Sequence, residues 1–324
     1  MVMAIRVYET GAPEVMRWER VVVGRPGQGE VRLRQTAVGV NYIDTYQRSG
    51  LYPLPLPTGL GSEATGVVEN VGPGVDEFKI GDRVAYAIGP PGAYAQERLY
   101  PARLLVPLPR DVDDRTAAAM MLKGMTAQYL LRRTNRVEAG DTILVHAAAG
   151  GVGLIVCQWA KHLGATVIGV VSSAEKAALA RAHGCDHAII TTRSDFSARV
   201  KEITGGRGVR VVYDSVGKDT WNGSLDCLQP LGLMVSYGNA SGPVPPFALS
   251  TLAAKGSLFV TRPTLTAYTA TRAELLATAH ELFEIVRSGA VKIEIHQSYP
   301  LAEAVQAHRD LEGRKTVGSS VLLP

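Results

Sequence analysis

Two patterns of hydrophobic and polar residues follow one another along the chain. Before about residue 110, short runs with alternating apolar and polar positions are separated by Gly/Pro turns, as in EVRLRQTAVGV at 30–40 and DRVAYAI at 82–88. This pattern predicts the strands of an antiparallel barrel or sandwich. Eleven of the 18 prolines lie in the first 109 residues and none between residues 110 and 229. The change near residue 110 therefore indicates a change of domain.

Beyond residue 140, apolar segments alternate with amphipathic ones. Strand-like TILVHA (142–147), ATVIGVV (165–171) and VRVVYDSV (209–216) alternate with helical LIVCQWAKHLG (154–164), AEKAALARAHG (174–184) and DFSARVKEITGG (195–206). Strands separated by helices of this length predict βαβ crossovers and a doubly wound parallel sheet. The predicted fold class is α/β, with a β-rich domain beside a Rossmann domain. Two amphipathic helices near 272–288 and 302–312 could close either domain.

The segment HAAAGGVG at 146–153 lies between a predicted strand and a predicted helix. Ala148, Gly150 and Gly153 have the G-x-G-x-x-G spacing with alanine in first place, and such a turn lets a pyrophosphate approach the backbone at a helix N-terminus. We therefore predict a dinucleotide site at 150–153. The alternative is that these glycines only permit a tight turn between strand and helix.

The residues after the second predicted strand indicate which dinucleotide binds. An acidic residue at this strand end would bind the free ribose hydroxyls of NAD, but Ser172, Ser173 and Lys176 follow here instead. These side chains predict a pocket for the 2'-phosphate of NADPH. The alternative is that the two serines cap the next helix and Lys176 is solvated.

Composition excludes several other classes of protein. Apolar runs are too short for a membrane span, and MVMAIRVYETG lacks the pattern of a signal peptide, so we expect a cytoplasmic protein. The net charge of +4 is spread along the chain without a basic stripe, which makes nucleic-acid binding unexpected. Residues 1–145 contain neither His nor Cys, the usual zinc ligands, so we predict no metal site there. For a protein with a dinucleotide site and no metal site in this part of the chain, the sequence favours hydride transfer without a metal.

Several segments resemble the quinone oxidoreductases, in the zinc-lacking branch of the medium-chain dehydrogenase/reductase superfamily. The resemblance extends over essentially the whole chain and is carried by GVNYIDTYQRSGLYP (39–53), GLGSEATGVVENVGPGV (59–75), GDRVAYA (81–87), LKGMTAQYLL (122–131), HAAAGGVGLIVCQWAK (146–161), VRVVYDSVGKDTW (209–221) and GSLFVTRP (256–263). It implies a GroES-like catalytic domain of residues 1–125 and 264–324, with a dinucleotide-binding (Rossmann) domain of residues 126–263 inserted. It further implies NADPH-dependent quinone reduction by a homodimer with LFVTR (258–262) as edge strand.

The same resemblance implies site residues one by one. Asn41, Tyr46 and Tyr52 are implied as catalytic positions, with the two tyrosines hydrogen-bonding a quinone oxygen; packing on an irregular loop is the alternative for these tyrosines. The implied cofactor-binding positions are Tyr42, Asp44, Tyr46, Thr126, Tyr129, Gly150, Gly151, Val152, Gly153, Ser172, Ser173, Lys176, Val216, Asn239, Val260, Arg262 and Arg314.

Some alternatives stay open at this point. Arg262 and Arg314 could instead form structural ion pairs. Where the family often has a tyrosine followed by an arginine, this chain has Thr191 and, two residues on, Arg193, which could act as a substitute. A reductase of enals or enones on the same fold is a close rival for the function, and an NADPH-binding protein that binds RNA is a rival from another class.

Overall fold

The computed structural model describes residues 1–191 and 195–324, which form two compact units. Unit 1 comprises Met1–Met125, Thr269–His280 and Ile293–Pro324, and unit 2 comprises Thr126–Tyr268 and Glu281–Lys292. The predicted boundaries differ from this division at 264–268 and 281–292, which cluster with unit 2. For the second stretch the reason is a hydrogen-bonded contact: Glu281 accepts bonds from Gln128 and Arg132.

The strands and helices follow one another in the predicted order. The strands are β1 (Val2–Val7), β2 (Met16–Val21), β3 (Glu30–Gly39), β4 (Thr58–Gly59), β5 (Glu63–Val71), β6 (Arg83–Tyr86), β7 (Glu97–Pro101), β8 (Val106–Pro107), β9 (Thr142–His146), β10 (Thr166–Val171), β11 (His187–Ile190), β12 (Val209–Asp214), β13 (Leu228–Ser236), β14 (Phe259–Thr261), β15 (Ile295–Pro300) and β16 (Ser319–Leu323).

The helices are α1 (Tyr42–Ser49), α2 (Asp114–Tyr129), α3 (Gly151–His162), α4 (Ala174–Ala182), α5 (Phe196–Ile203), α6 (Trp221–Asp226), α7 (Ser250–Ala254), α8 (Leu265–Tyr268), α9 (Arg272–Arg287) and α10 (Ala304–Glu312). A π-helical turn, Leu130–Thr134, continues α2. Short 3-10 turns lie at Pro13–Val15, Ala102–Leu104 and Leu301–Glu303. No helix of the described residues has both the length and the apolar character needed to cross a membrane.

Unit 1 is built on a mainly antiparallel sheet in the order β15-β16-β3-β5-β6-β8, with β7 paired to β3 and a smaller sheet β2-β1-β4. The pairing of β3 with β5 shifts register twice, and such irregularities bend a sheet strongly. Inward-facing residues of these strands, such as Val31, Leu33 and Val68, are completely buried. The same pairing sets Gly39 opposite Glu63, so the chain leaving β3 passes beside the start of β5.

Unit 2 contains a parallel sheet in the order β11-β10-β9-β12-β13-β14. Counted from β9, this order is 3-2-1-4-5-6, the doubly wound arrangement of dinucleotide-binding folds. Ile143 to Val145 are fully buried, because helices cover both faces of a parallel sheet. The α/β class predicted for this part of the chain is therefore confirmed.

Candidate active site

The turn between β9 and α3 brings the two elements unusually close. Ala147 adopts a positive φ of 50°, and Gly150 caps α3 without a side-chain hydrogen bond. A Cβ on Gly153 would lie 2.8 Å from Ala148 Cα and still closer to the Ala147 carbonyl oxygen, so the helix can start here only on glycine. The first N–H groups of a helix have no acceptor within it. The turn thus presents backbone donors of Gly151, Val152 and Gly153.

The chain after β10 forms a second polar turn. Ser173 is the N-cap of α4, and its hydroxyl oxygen accepts the backbone N–H of Lys176 at 3.3 Å. The capping alternative is therefore realised for Ser173, and a capping hydroxyl still has a proton to donate. Thr191, at the end of β11, donates through its hydroxyl to the Val171 carbonyl. Arg193 lies outside the described residues.

A carboxylate at the end of β12 holds the next loop. Asp214 is completely buried and accepts bonds from the backbone N–H groups of Val216 and Gly217 at 2.7 and 3.0 Å. It also accepts from the Thr220 and Ser224 hydroxyls at 2.7 and 2.9 Å. Val216, a predicted cofactor neighbour, is therefore fixed in place by a backbone bond.

His146, the last residue of β9 before the glycine-rich fingerprint turn at 147–153, belongs to the same network. His146 is buried, and its Nε2 lies 2.8 Å from Ser224 Oγ. Because the Ser224 proton goes to Asp214, His146 Nε2 must donate, so the ring has a proton on Nε2. Burial lowers the pKa of His146 against the attraction of Asp214, consistent with a neutral ring.

The other predicted residues of unit 2 occupy mixed positions. Thr126 and Tyr129 lie near the C-terminal end of α2, and Tyr129 stacks on Tyr268 with ring centroids 4.7 Å apart. Arg262 donates to the carbonyl oxygens of Ser236 and Gly238 at 3.0 Å, so it braces the end of β13. Asn239 accepts a turn bond from Gly242, and Val260 is half-buried on β14.

In unit 1, the segment after β3 is a helix where an irregular loop was one expectation. Asn41 precedes α1, its backbone N–H donates to Asp44 Oδ2 at 3.0 Å, and Gly50 ends the helix with φ 86°. This segment has an Asn followed three residues later by an acidic residue, and a glycine beyond the last turn. These are start and stop signals of a helix, and they outweigh the expectation of an irregular loop. The tyrosines therefore lie on or just beyond a helix.

Asp44 is buried completely and is surrounded by donors. Besides the Asn41 N–H, the Ser62 hydroxyl donates to Oδ1 and the Tyr94 hydroxyl donates to Oδ2, each at 3.0 Å. Burial raises the pKa of Asp44 to about 6, although these donors and Lys123 act in the opposite direction. The two protonation states of the carboxyl are thus balanced near pH 6.

Behind Asp44, hydrogen bonds continue to the protein surface. His308 Nε2 lies 3.0 Å from the Tyr94 hydroxyl, and the Arg48 guanidinium lies 3.3 Å from His308 Nδ1. Arg48 also pairs with Glu312 through two bonds of 2.9 and 2.7 Å. Burial and Arg48 lower the pKa of His308 to about 3, so this histidine is neutral at physiological pH.

A buried ion pair lies on the other side of Asn41. The Asn41 side-chain amide donates to Glu63 Oε2 at 2.8 Å, and Lys123 Nζ lies 3.2 Å from the same oxygen. The Leu122 N–H donates to the other carboxylate oxygen of Glu63 at 2.7 Å. Asn41 is therefore held through its backbone by Asp44 and through its side chain by Glu63.

Three tyrosines form a cluster next to this network. The rings of Tyr42 and Tyr46 lie 6.0 Å apart, and those of Tyr46 and Tyr52 meet edge to face at 5.2 Å. The Tyr42 hydroxyl donates to the Leu311 carbonyl, and Arg314, which has a positive φ of 58°, is close enough to oppose the rise in the pKa of Tyr42 that burial causes. The structure thus brings Asn41, Tyr42, Asp44, Tyr46, Tyr52 and Arg314 together within unit 1.

Comparison with known proteins identifies the family. Two family models match, one for an alcohol dehydrogenase GroES-like domain at residues 27–110 and one for a zinc-binding dehydrogenase at residues 151–280. A quinone oxidoreductase of Pseudomonas aeruginosa is 56% identical and is aligned over 97% of both chains. The chain belongs to the quinone oxidoreductase family. This membership, within the medium-chain dehydrogenase/reductase superfamily, confirms the resemblance found in the sequence.

A solved structure and a further relative are similar over essentially the whole chain. The crystal structure of Escherichia coli quinone oxidoreductase complexed with NADPH matches this chain with a TM-score of 0.98 at 50% identity, covering 99% of this chain and 100% of that one. A 2-haloacrylate reductase of a Burkholderia species is 52% identical over 100% of this chain and 99% of its own length. The predicted pairing of a GroES-like domain with a Rossmann domain is thereby confirmed.

One of the two matching family models is that of a zinc-binding dehydrogenase. Within residues 1–191 and 195–324, no group of three or more His, Cys, Asp or Glu side chains is arranged to hold a metal ion. The three cysteines are free and buried.

Sequence reasoning missed several residues of the two networks. Ser62, Glu63 and Lys123 are polar residues within largely apolar segments of the quinone oxidoreductase sequence, a pattern that indicates buried and paired side chains. Tyr94 and His308 are separated by more than 200 residues, and no local signal connects them. Asp214 could have been found, because an acidic residue at the carboxyl end of a parallel strand often faces a ligand loop.

Proposed function

We propose that this protein reduces quinones by hydride transfer from NADPH without a metal ion. The observation that carries this proposal is the turn between β9 and α3, where only glycine at position 153 permits the close approach of strand and helix. The similarity of the chain to an enzyme crystallised with NADPH supports it. The lack of His and Cys before residue 146 supports the metal-free part of the proposal.

The residues of unit 2 fit the cofactor. The N–H groups of Gly151, Val152 and Gly153 lie at the N-terminal end of α3. This end of a helix favours anions, so these groups would hold the pyrophosphate. The Ser172 and Ser173 hydroxyls and the Lys176 ammonium would hold the 2'-phosphate. When bound, NADPH supplies the hydride, and the protein supplies orientation and hydrogen bonds.

The unit 1 cluster would receive the electron-poor acceptor. Asn41 is rigidly held by two buried carboxylates, and Tyr46 and Tyr52 provide aromatic surface with hydroxyl groups for an acceptor oxygen. Asp44 is buried beneath Asn41, so we propose that its contribution to cofactor or acceptor binding is exercised through its neighbours.

A second candidate is the reduction of activated carbon–carbon double bonds. It is favoured by the 52% identity to a 2-haloacrylate reductase over the whole chain. Both reactions place a negative charge on the acceptor after hydride transfer, so the same site residues would serve either.

The test is a steady-state screen of NADPH oxidation against quinones, enals, 2-haloacrylates and ketones after exhaustive chelation. We expect turnover with quinones to exceed that with the other acceptors and to survive chelation. Faster turnover with enals or haloacrylates would favour the second candidate. A stoichiometric zinc ion whose removal stops turnover would contradict the metal-free proposal.

We further propose a cytoplasmic homodimer. The strand β14 stands at one end of the unit 2 sheet, and Phe259 on it is 59% exposed, with Leu231 at 67% and Leu249 at 77% exposure in unit 2. Exposed apolar residues on an edge strand are typical of an interface.

Phe259→Asp should convert a dimer into a monomer in sedimentation velocity; a wild-type monomer would refute the proposal. Fractionation of cells would test the compartment.

A further inference from the structure

Quinone and enone reduction both require a proton after the hydride has arrived, and a hydroxyl–carboxyl pair lies beside Asn41. Ser62 Oγ is 3.0 Å from Asp44 Oδ1, and the Asn41 N–H bonds the other oxygen of the same carboxyl. The Asp44 carboxyl group therefore connects Ser62 with Asn41, the residue that we place at the acceptor. Of the described donors to Asp44, Asn41 and Tyr94 are buried, whereas Ser62 is half-buried.

The backbone around Ser62 is built for this position. Gly61 has φ 93°, and a Cβ there would lie 2.7 Å or less from atoms of the Tyr94 ring. Only glycine lets the chain pass over this ring, and the next residue then reaches Asp44. Tyr94 is itself bonded to the opposite oxygen of Asp44, so the ring and the serine clamp one carboxyl group from two sides.

We propose that Ser62 donates the proton that completes reduction of the acceptor and that Asp44 supplies this proton to Ser62. The inference rests on the proposed function, because it assumes that the acceptor is bound beside Asn41. Ser62 would then be a catalytic residue, and Asp44 would be a positioning and proton-storing residue that acts through it.

Each proton transfer in this step breaks one O–H bond for every bond to hydrogen that it forms. Hydride transfer leaves one negative charge on the acceptor. A bond from the Ser62 proton to the acceptor forms as the Ser62 O–H bond breaks, and the protonated Asp44 carboxyl returns a proton to Ser62 Oγ. Asp44 then regains a proton from water through Ser62, whose hydroxyl passes its proton to the carboxylate and takes one from water. The ionised carboxyl accepts from Ser62, whereas the protonated carboxyl can donate to it and so leaves the serine proton available to the acceptor.

The charged and titratable groups around Asp44 suit a stored proton. Lys123 and the hydrogen bonds from Asn41, Tyr94 and Ser62 favour its ionised form, whereas burial disfavours that form more strongly and raises the pKa to about 6. Glu63 lies beyond Asn41, and Tyr94, whose pKa is raised far above its usual range by burial, cannot compete for the negative charge. His308 is neutral, and Arg48, which separates it from Glu312, stays protonated and cannot relay a proton. Reprotonation must therefore come from the Ser62 side.

The first test compares variants of Ser62. Ser62→Ala should lower kcat by about a hundred-fold, the lower end of what a positioned general acid contributes, because water can partly replace a half-exposed hydroxyl. Ser62→Thr keeps the hydroxyl and should recover most of the turnover. Ser320→Ala is the matched control, since it also removes one hydroxyl bond in unit 1, to Gln297 at 3.0 Å, and should leave kcat unchanged. NADPH affinity, measured by fluorescence titration, should be equal in all of these proteins.

The second test concerns Asp44 and pH. Because the donor form of Asp44 requires a proton, kcat of the wild type should fall as pH rises above about 6, and it should show a solvent deuterium isotope effect. Asp44→Asn should remove this pH dependence. Independently of turnover, carbon NMR of the ligand-free protein should show an aspartate carboxyl titrating near pH 6 whose pKa changes in Ser62→Ala.

The outcomes separate the inference from the function beneath it. If the wild type fails to oxidise NADPH with every acceptor that is tested, the proposed function is refuted. An active wild type whose Ser62→Ala variant keeps its kcat, pH profile and solvent isotope effect refutes the inference alone. If Tyr52→Phe removes the solvent isotope effect and Ser62→Ala does not, the proton comes from the tyrosine and the inference is wrong.

Discussion

Gly153→Ala should weaken NADPH binding by about ten- to a hundred-fold, because the fingerprint turn cannot accept a methyl group. The new Cβ would meet backbone atoms of Ala147 and Ala148, which lie in the turn directly after the buried strand β9 and cannot move as a flexible side chain would. The first turn of α3 must shift, and donors to a charged phosphate are worth about 1.5–3 kcal/mol each. Overpacking of this kind should also destabilise the fold by about 1–3 kcal/mol.

Two controls make this experiment specific. Gly24→Ala adds a methyl group where nothing lies within 4 Å, and it should change neither NADPH affinity nor the melting temperature. Gly150→Ala meets the Ala147 carbonyl oxygen at 3.1 Å and should have an intermediate effect. Equal NADPH affinities for the wild type and Gly153→Ala, measured by calorimetry, would show that the pyrophosphate is held elsewhere.

Lys176→Ala should lower NADPH affinity by about ten- to a hundred-fold while hardly affecting NADH, because it removes a charged hydrogen bond to the 2'-phosphate. Ser173 binds the backbone N–H of Lys176 and not its side chain, so the cap of α4 survives the substitution. Lys201→Ala, on the neighbouring helix α5, is the matched control and should preserve the preference for NADPH.

Ser172→Asp extends the same test. A carboxylate at this strand end would repel the 2'-phosphate and accept bonds from free ribose hydroxyls, so the preference should invert towards NADH. The measurement is the ratio of kcat/KM for the two cofactors in each variant. A wild type without preference, or a Lys176→Ala variant that binds both cofactors equally weakly, would place the phosphate pocket at other residues.

Local sequence patterns were sufficient for the architecture of unit 2. The apolar segments at 142–147 and 165–171 became β9 and β10, since a parallel strand covered on both faces must be apolar at nearly every position. The glycines at 150 and 153 marked the strand–helix turn because their role depends only on backbone geometry within a few residues.

Helix α1 shows where a local signal was present but was given too little weight. Asn41, Asp44 and Gly50 carry start and stop signals of a helix within ten residues, although an irregular loop was one expectation for this segment. Its tyrosines were expected at the site, and the structure clusters Tyr42, Tyr46 and Tyr52. Their contact with an acceptor stays a prediction.

The sequence by itself determined the α/β class, the order of the elements, the fingerprint turn and the family, because each depends on residues close together in the chain or on long, specific segments. Only the tertiary structure decided the partners of the buried polar groups. Asp44 meets Ser62, Tyr94 and, through Tyr94, His308, residues 18, 50 and 264 positions away. The protonation of such groups depends on desolvation and on charges that only folding brings together, so the sequence contained the residues of this network but not its chemistry.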